Sequence, residues 1–338
     1  MLIDSSTDKL LEDTSRSFFL TLKVLPKRIR GQVGLLYLLA RIADTIADSK
    51  IGETSILIES LKKYEESVKD DSVSIPNLES IAQLQEDAGE ERLLRNVSQV
   101  ISSIKKFNSA DRHRILRCLG IIVAGQTLDL ERFGPANDSK EISALQSPEE
   151  MDDYTYRVAG SVGEFWTSMT LAHLIKVDGP TEEKMFELGV KFGKALQMIN
   201  ILRDIPEDLR FGRCYIPEIL LKEQGLTPED LMISDNMSKF RPLYDHHLDI
   251  TQNHLDASEE YILMLPWKQI RLRISCLLPV LIGQQTVTML RTRNVLDSSQ
   301  RVKVPRKTVK RLMIRTIFSA ILPGGAARLL MKNRAKQL

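Results

Sequence analysis

The sequence predicts an all-α fold, on three observations. Apolar residues recur at three- and four-residue steps through most of the 338 positions. No run alternates in the way a half-buried strand does, and the breaks between periodic stretches are short and polar or hold Pro and Gly. A hydrophobic content of 43% is enough for a substantial core. No tract rich in Pro, Gly or Ser splits the chain, and no internal repeat shows beyond two acidic motifs, so one large helical domain is expected.

The first long pattern opens after Pro26, where a fixed φ suits a helix start, and carries Val33, Leu36, Tyr37, Ala40 and Asp44 at helical steps as far as Asp48. Similar patterns run over Ser55–Val68, Ile81–Phe107, Ala110–Arg132, Met151–Ile175, Thr181–Arg203, Leu243–Met264 and Trp267–Thr292. Pro206 falls just beyond one of them, and its missing backbone donor predicts a bend or a helix end there, which would aim Asp208 toward a cavity or mark an ordinary terminus.

Charge is nearly balanced, with 47 basic and 45 acidic residues and a formal net charge of +2, which gives no argument for nucleic acid as a partner. The local distribution is uneven. No acidic residue follows Asp297, whereas Arg301, Lys303, Arg306, Lys307, Lys310, Arg311 and Arg315 crowd together. Residues 1–295 are therefore expected to form the main domain, with 296–338 as a basic C-terminal extension. Its cations and the apolar Ile314, Ile317, Phe318 and Ile321 suit peripheral contact with anionic lipid; a solvated basic face on a terminal helix is the alternative. Cys118, Cys214 and Cys276 are scattered without metal-ligand spacing, and the N-terminal residues lack the pattern of a secretory signal. A reducing, cytoplasmic setting is expected, with contact at the inner face of the membrane.

Asp44-Thr-Ile-Ala-Asp48 and Asp204-Ile-Pro-Glu-Asp208 repeat one spacing of carboxylates, each at the end of a helical pattern. Aspartates four apart share a helix face, and Mg2+ is commonly held by one or two carboxylates together with substrate phosphates, so the two motifs read as diphosphate clamps. A single such pair is also what a solvated helix face shows. The company is what favours chemistry: Tyr37 and Arg41 precede the first pair at helical spacing, and Gln197, Asn200 and Arg203 precede the second. So many polar groups beside apolar neighbours are costly as mere packing.

These segments resemble the squalene/phytoene synthase family, and within it most resemble a bacterial squalene synthase. The likeness runs in order through Ser15-Arg16-Ser17-Phe18, Tyr37 to Asp44, Tyr154-Thr-Tyr156-Arg157-Val158-Ala159-Gly160-Ser-Val-Gly163, Gln197 to Asp204, and Gly212-Arg213-Cys214-Tyr215-Ile216-Pro217, as far as about Leu290. It implies an isoprenoid-synthase fold, a single helical bundle around a central cavity. The expected activity is head-to-head joining of two farnesyl diphosphates through a cyclopropyl (presqualene) diphosphate, followed by NADPH-dependent reduction to squalene. Asp44, Asp48, Asp204 and Asp208 are then expected to hold Mg2+ and diphosphate. Ser15, Arg16, Arg41 and Arg213 would contact phosphate oxygens, Phe18 would line the prenyl tunnel, and Gln197 and Asn200 would position substrate or the tyrosine. Tyr154 is implied in proton transfer and Tyr37 near the first diphosphate. Arg203 is equally a structural partner of its neighbouring aspartate.

Ser275-Cys276-Leu-Leu-Pro279 resembles a Cys-x-x-Pro helix of squalene synthases and inclines the reading toward the reductive product; a small core residue and a helix kink are the plainer account. The family also holds phytoene and dehydrosqualene synthases, which need no reductant, and non-catalytic helical assembly factors, which have generally lost clamp carboxylates. All four are present here. Residues that would bind NADPH are not assigned.

Overall fold

The structure, a computed structural model, describes residues 3–50, 52–136 and 141–334, apart from the side chains of 16–20 and 334. Among the described residues the fold is helical, with a single pair of two-residue strands. The chain groups into two compact units, Met1–Asn137 with Ser168–Leu174, and Asp138–Thr167 with Ile175–Leu338. The division passes through the middle of a helix, which is why no linker composition announces it.

In the first unit α1 (Ser5–Val24) is capped by Asp4, whose carboxylate accepts from the Ser6 and Thr7 amides at 3.1 and 2.8 Å. Helix α2 (Lys27–Ala47) starts after Pro26 and ends at Asp48, as its periodicity predicts. Leu35, Leu38, Leu39 and Ile42 on it are fully buried, each stabilising the unit by about 1.5–3 kcal/mol. Helix α3 (Thr54–Lys69) follows, and its buried Tyr64 donates to the Leu39 carbonyl at 2.9 Å.

The single helix expected over Ile81–Phe107 is instead α4 (Glu79–Gln83), α5 (Ala88–Arg95), α6 (Val97–Ser102) and a 3-10 turn at Ser103–Lys106. The breaks have local causes. Asp87 accepts from the Gly89 and Glu90 amides and so starts a new helix, and Asn96 stands at φ −114° between α5 and α6. Helix α7 (Ser109–Phe133) is capped by Asn108, stops at Gly134 with φ +73°, and packs on α2 and α3. Gln32 of α2 donates to buried Asp111 of α7 at 2.9 Å.

In the second unit β1 (Ser143–Ala144) pairs in parallel with residues 213–214. Helix α8 (Pro148–Thr155), capped by Ser147, runs through a π-helical turn at Tyr156–Gly160 into α9 (Ser161–His173), whose last residues group with the first unit. Next come α10 (Gly179–Arg203), α11 (Ile205–Arg210), β2 (Arg213–Cys214) and α12 (Glu218–Glu223), then the long α13 (Met237–Met264) and α14 (Ile270–Thr292).

The small residues at 158–163 have a visible use. A Cβ added to Gly163 would lie 2.6 Å from the Gly189 carbonyl carbon, and one on Gly193 would lie 2.6 Å from the Ala159 carbonyl carbon, so these helices meet backbone to backbone. Both α13 and α14 pack on α10, and Tyr244 of α13 donates to the Leu202 carbonyl at 2.9 Å.

Helices α15 (Arg306–Ile321) and α16 (Gly325–Arg334) belong to the second unit and pack beside α14. A buried polar chain ties them in. Gln284 of α14 donates to Glu259 of α13 and accepts from Asn333 of α16.

Candidate active site

The first acidic motif is built on α2. Asp44 is half-buried and both of its oxygens are engaged: Arg41 Nη1 donates to Oδ2 at 2.5 Å and Gln126 Nε2, from α7, donates to Oδ1 at 3.0 Å. The other end of the Arg41 guanidinium pairs with Glu90 at the start of α5. Burial alone would weaken this cation, but Asp44 and Glu90 outweigh it and hold its pKa above the ordinary value. Asp48 is the C-terminal cap of α2, its amide bonded to the Asp44 carbonyl at 2.9 Å and its side chain exposed.

Tyr37, one turn before Arg41, donates to the Thr14 carbonyl of α1 at 3.1 Å. Ser15 is buried and its hydroxyl is given to the Leu11 carbonyl one turn back on α1. The side chains of Arg16 and Phe18 lie outside the described residues. Gln126 of α7 and Glu90 of α5 join the set without having been singled out in the sequence. The readable signal was Gln126, a polar residue on a face of α7 that is otherwise largely apolar and buried.

The second motif spans a helix break. Helix α10 stops at Arg203, Asp204 stands at φ −101°, and Pro206 opens α11, where the Glu207 and Asp208 amides return to the Asp204 carbonyl at 2.9 and 3.0 Å. The bend predicted from Pro206 is therefore present. Arg203 chelates Asp204 through Nε at 3.0 Å and through Nη2, and this bond, working against burial, raises the arginine's pKa. Arg301 reaches both Asp204 at 3.1 Å and Glu207 at 2.9 Å. Gln197 and the exposed Asn200 are 3.5 Å apart on α10.

Asp208 lines a small cavity with Ile201, Ile205, Arg213, Cys214 and Tyr215. Burial pushes the Cys214 thiol up to about 12, which makes it inert as a nucleophile at neutral pH. The parallel pairing of Ser143 with Arg213 and Ala144 with Cys214 carries the β2 segment alongside the approach to α8. Tyr215 then stacks on Tyr154 with ring centroids 4.6 Å apart and planes inclined by 19°, and the two hydroxyls are 3.3 Å apart. Both rings are buried. Tyr154 sits in the last turn of α8, directly before the π-helical turn, a distortion frequent at functional sites. Cys276 is a core residue of α14, its thiol pushed up to about 12 by burial and lying against the Trp166 side chain.

Among the described residues no group of three or more His, Cys, Asp or Glu side chains could hold a metal ion by itself. Each motif offers instead one or two carboxylates with an arginine beside them. That donor set suits Mg2+ completed by water and substrate phosphate rather than a protein-only cage.

The fold is that of the isoprenoid synthases. A complex of TcSQS with the ligand E5700 matches it with a TM-score of 0.79 at 18% identity, over 98% of this chain and 91% of that one. A dehydrosqualene synthase in complex with ligand matches with a TM-score of 0.62 at 20% identity, over 92% of this chain and 94% of its own. The profile of the squalene/phytoene synthase family covers residues 11–308, and the chain belongs to that family, whose members are prenyltransferases acting on prenyl diphosphates. Among curated relatives, the bifunctional lycopene cyclase/phytoene synthase of Colletotrichum graminicola is 30% identical over 230 residues, 67% of this chain and 36% of its own length. That of Podospora anserina is 28% identical over 230 residues, with 66% and 36% covered. The chain thus spans little more than a third of the length of these relatives.

Proposed function

We propose that the protein joins two farnesyl diphosphates head to head through a cyclopropyl (presqualene) diphosphate and reduces the product to squalene with NADPH. The observation that supports the condensation most is the repeated design of the two motifs. Each sets its carboxylates at a helix end with an arginine already paired to the leading aspartate, Arg41 to Asp44 and Arg203 to Asp204.

In the first half-reaction the allylic C–O bond of one substrate breaks and the double bond of the other attacks the cation. Loss of a proton then closes the cyclopropane. In the second, the remaining diphosphate leaves and the carbon skeleton rearranges; NADPH, when bound, would supply the hydride that quenches the cation. Mg2+, held by Asp44 and Asp48 in one motif and Asp204 and Asp208 in the other, would supply Lewis-acid stabilisation of the leaving groups. Arg41, Arg16 and Arg213 bind phosphate oxygens, where charge grows as ionisation proceeds, so they favour the transition state over the intact substrate. Tyr154, its hydroxyl steadied by Tyr215, helps relay the proton to the released diphosphate, which is the final acceptor, and the aromatic rings favour a nearby cation. Gln197 and Asn200 orient the substrate chain.

The reductive half rests on the resemblance of Ser275-Cys276-Leu-Leu-Pro279 to a Cys-x-x-Pro helix of squalene synthases. The names of the curated relatives favour a second reading, phytoene or dehydrosqualene synthesis without reductant. Mass spectrometry of products from farnesyl diphosphate and Mg2+, with and without NADPH, and from geranylgeranyl diphosphate, separates the two. Squalene only with NADPH is the expected result. Dehydrosqualene regardless of reductant, or phytoene from the longer substrate, would establish the second reading, and no condensation at all would leave a non-catalytic helical protein.

A further inference from the structure

Helix α15 has two apolar faces, and the core uses one of them. Leu312, Thr316 and Ala320 are buried on the inner side. On the outer side Ile314, Ile317, Phe318 and Ile321 are 55%, 39%, 66% and 48% exposed. One turn toward the N-terminus the same outer face carries exposed Lys307, Lys310 and Arg311. At 3.6 residues per turn these positions fall within an arc of about 120°, graded along the axis from basic to apolar. The apolar end runs straight into the exposed turn Leu322-Pro323-Gly324.

We propose that this face of α15 is a monotopic docking surface for an anionic lipid bilayer. The apolar half and the turn after it enter the headgroup boundary, and the cations lie against lipid phosphates. Charge selects this occupant. No acidic residue follows Asp297, so the surface is of one sign and would repel a second copy of itself. The first turn of α15 has no acidic residue, and Arg306, Lys307 and Lys310 stand at the positive end of the helix dipole, an arrangement that disfavours the isolated helix and gains from external anions. Spanning is ruled out for this element: 16 residues rise about 24 Å, and among the described residues no helix is long and apolar enough to cross a membrane. The proposal does not depend on which product the enzyme makes.

The test is flotation of the full chain with vesicles of phosphatidylcholine alone and of phosphatidylcholine mixed with an equal part of phosphatidylglycerol. Wild type is expected to float with the anionic vesicles only. The double variant Ile317→Asp/Phe318→Asp should partition at least about tenfold more weakly, and Lys307→Glu/Lys310→Glu/Arg311→Glu roughly a hundredfold more weakly. Circular dichroism checks that both remain folded, and Phe318→Trp supplies a reading that does not weaken the surface: its added emission should shift to the blue with anionic vesicles. Equal flotation of wild type and variants, or no blue shift, would overturn the proposal. So would a dimer in sedimentation equilibrium that Ile317→Asp/Phe318→Asp dissolves while wild type fails to float, since that outcome assigns the face to a second copy.

Discussion

A methyl group on Gly163 would stand 2.6 Å from the carbonyl carbon of Gly189, so the helix that follows Tyr154 and the helix that ends at Arg203 touch through their backbones. This contact fixes the spacing between the elements that carry the tyrosine pair and the second acidic motif. Gly163→Ala must therefore push two packed helices apart. A loss of stability above about 2 kcal/mol is expected, read as a lowered urea midpoint, with product formation falling in parallel.

The carboxylates should separate chemistry from folding. Asp44→Asn keeps a partner for Gln126 but removes the charge that Arg41 faces, and Asp208→Asn changes one group on the cavity shared with Arg213. Each is expected to reduce condensation by about a hundredfold or more while the thermal unfolding transition moves little. Product formation at wild-type rates from either variant would remove the diphosphate-clamp reading.

Tyr154→Phe retains the ring that stacks on Tyr215 and deletes the hydroxyl. Turnover should drop by about a hundredfold or more with little change in stability, as for loss of a proton-transfer group. Tyr215→Phe removes only the partner 3.3 Å from that hydroxyl, so a smaller fall is expected. Steady-state kinetics on both variants checks the order; equal losses would place the two tyrosines on one footing.

Acid should destabilise the second unit through buried His247 and half-buried His254. Burial lowers the pKa of His247 in the fold, its bond to the Leu243 carbonyl opposing and nearby His246 reinforcing the shift, and burial likewise lowers that of His254. Above about pH 6.5 both states are neutral and nothing is lost. As pH falls below that value the unfolded chain takes up protons first, so stability declines until the folded-state pKa is reached, by at most about 1.4 kcal/mol per pH unit for each histidine. Urea midpoints compared between neutral and mildly acidic buffer should show the fall, and His247→Gln should flatten it.

Long, strongly periodic helices were legible because their signal is local and repeated: α2, α3, α7, α10 and α14 fall close to the bounds their periodicity predicts, whereas α13 starts at Met237, more than a turn before its predicted Leu243. The break at Asp204 was legible for the same reason, since a proline removes a donor whatever surrounds it. The stretch 81–107 was not. Its apolar period continues across Asp87 and Asn96, and only the side chain of Asp87 turning onto the next amides, with Asn96 leaving helical geometry, shows that the helix stops twice. In the site, Asp44, Arg41 and Asp204 stood out because acidic and basic residues at helix ends are conspicuous. Gln126 did not, because its meaning comes from α7 lying against α2.

By itself the sequence determined the helical class, the places where carboxylates end helices, and the one-signed charge of the last forty residues, since each follows from residue spacing or type alone. Tertiary structure decided which partners those groups take. Arg41 reaches from α2 to Glu90, Tyr215 stacks on Tyr154, and α15 buries one apolar face while leaving the other outside. Contacts of that kind join residues tens of positions apart, and they are set by how helices pack, for which a local periodicity holds no record.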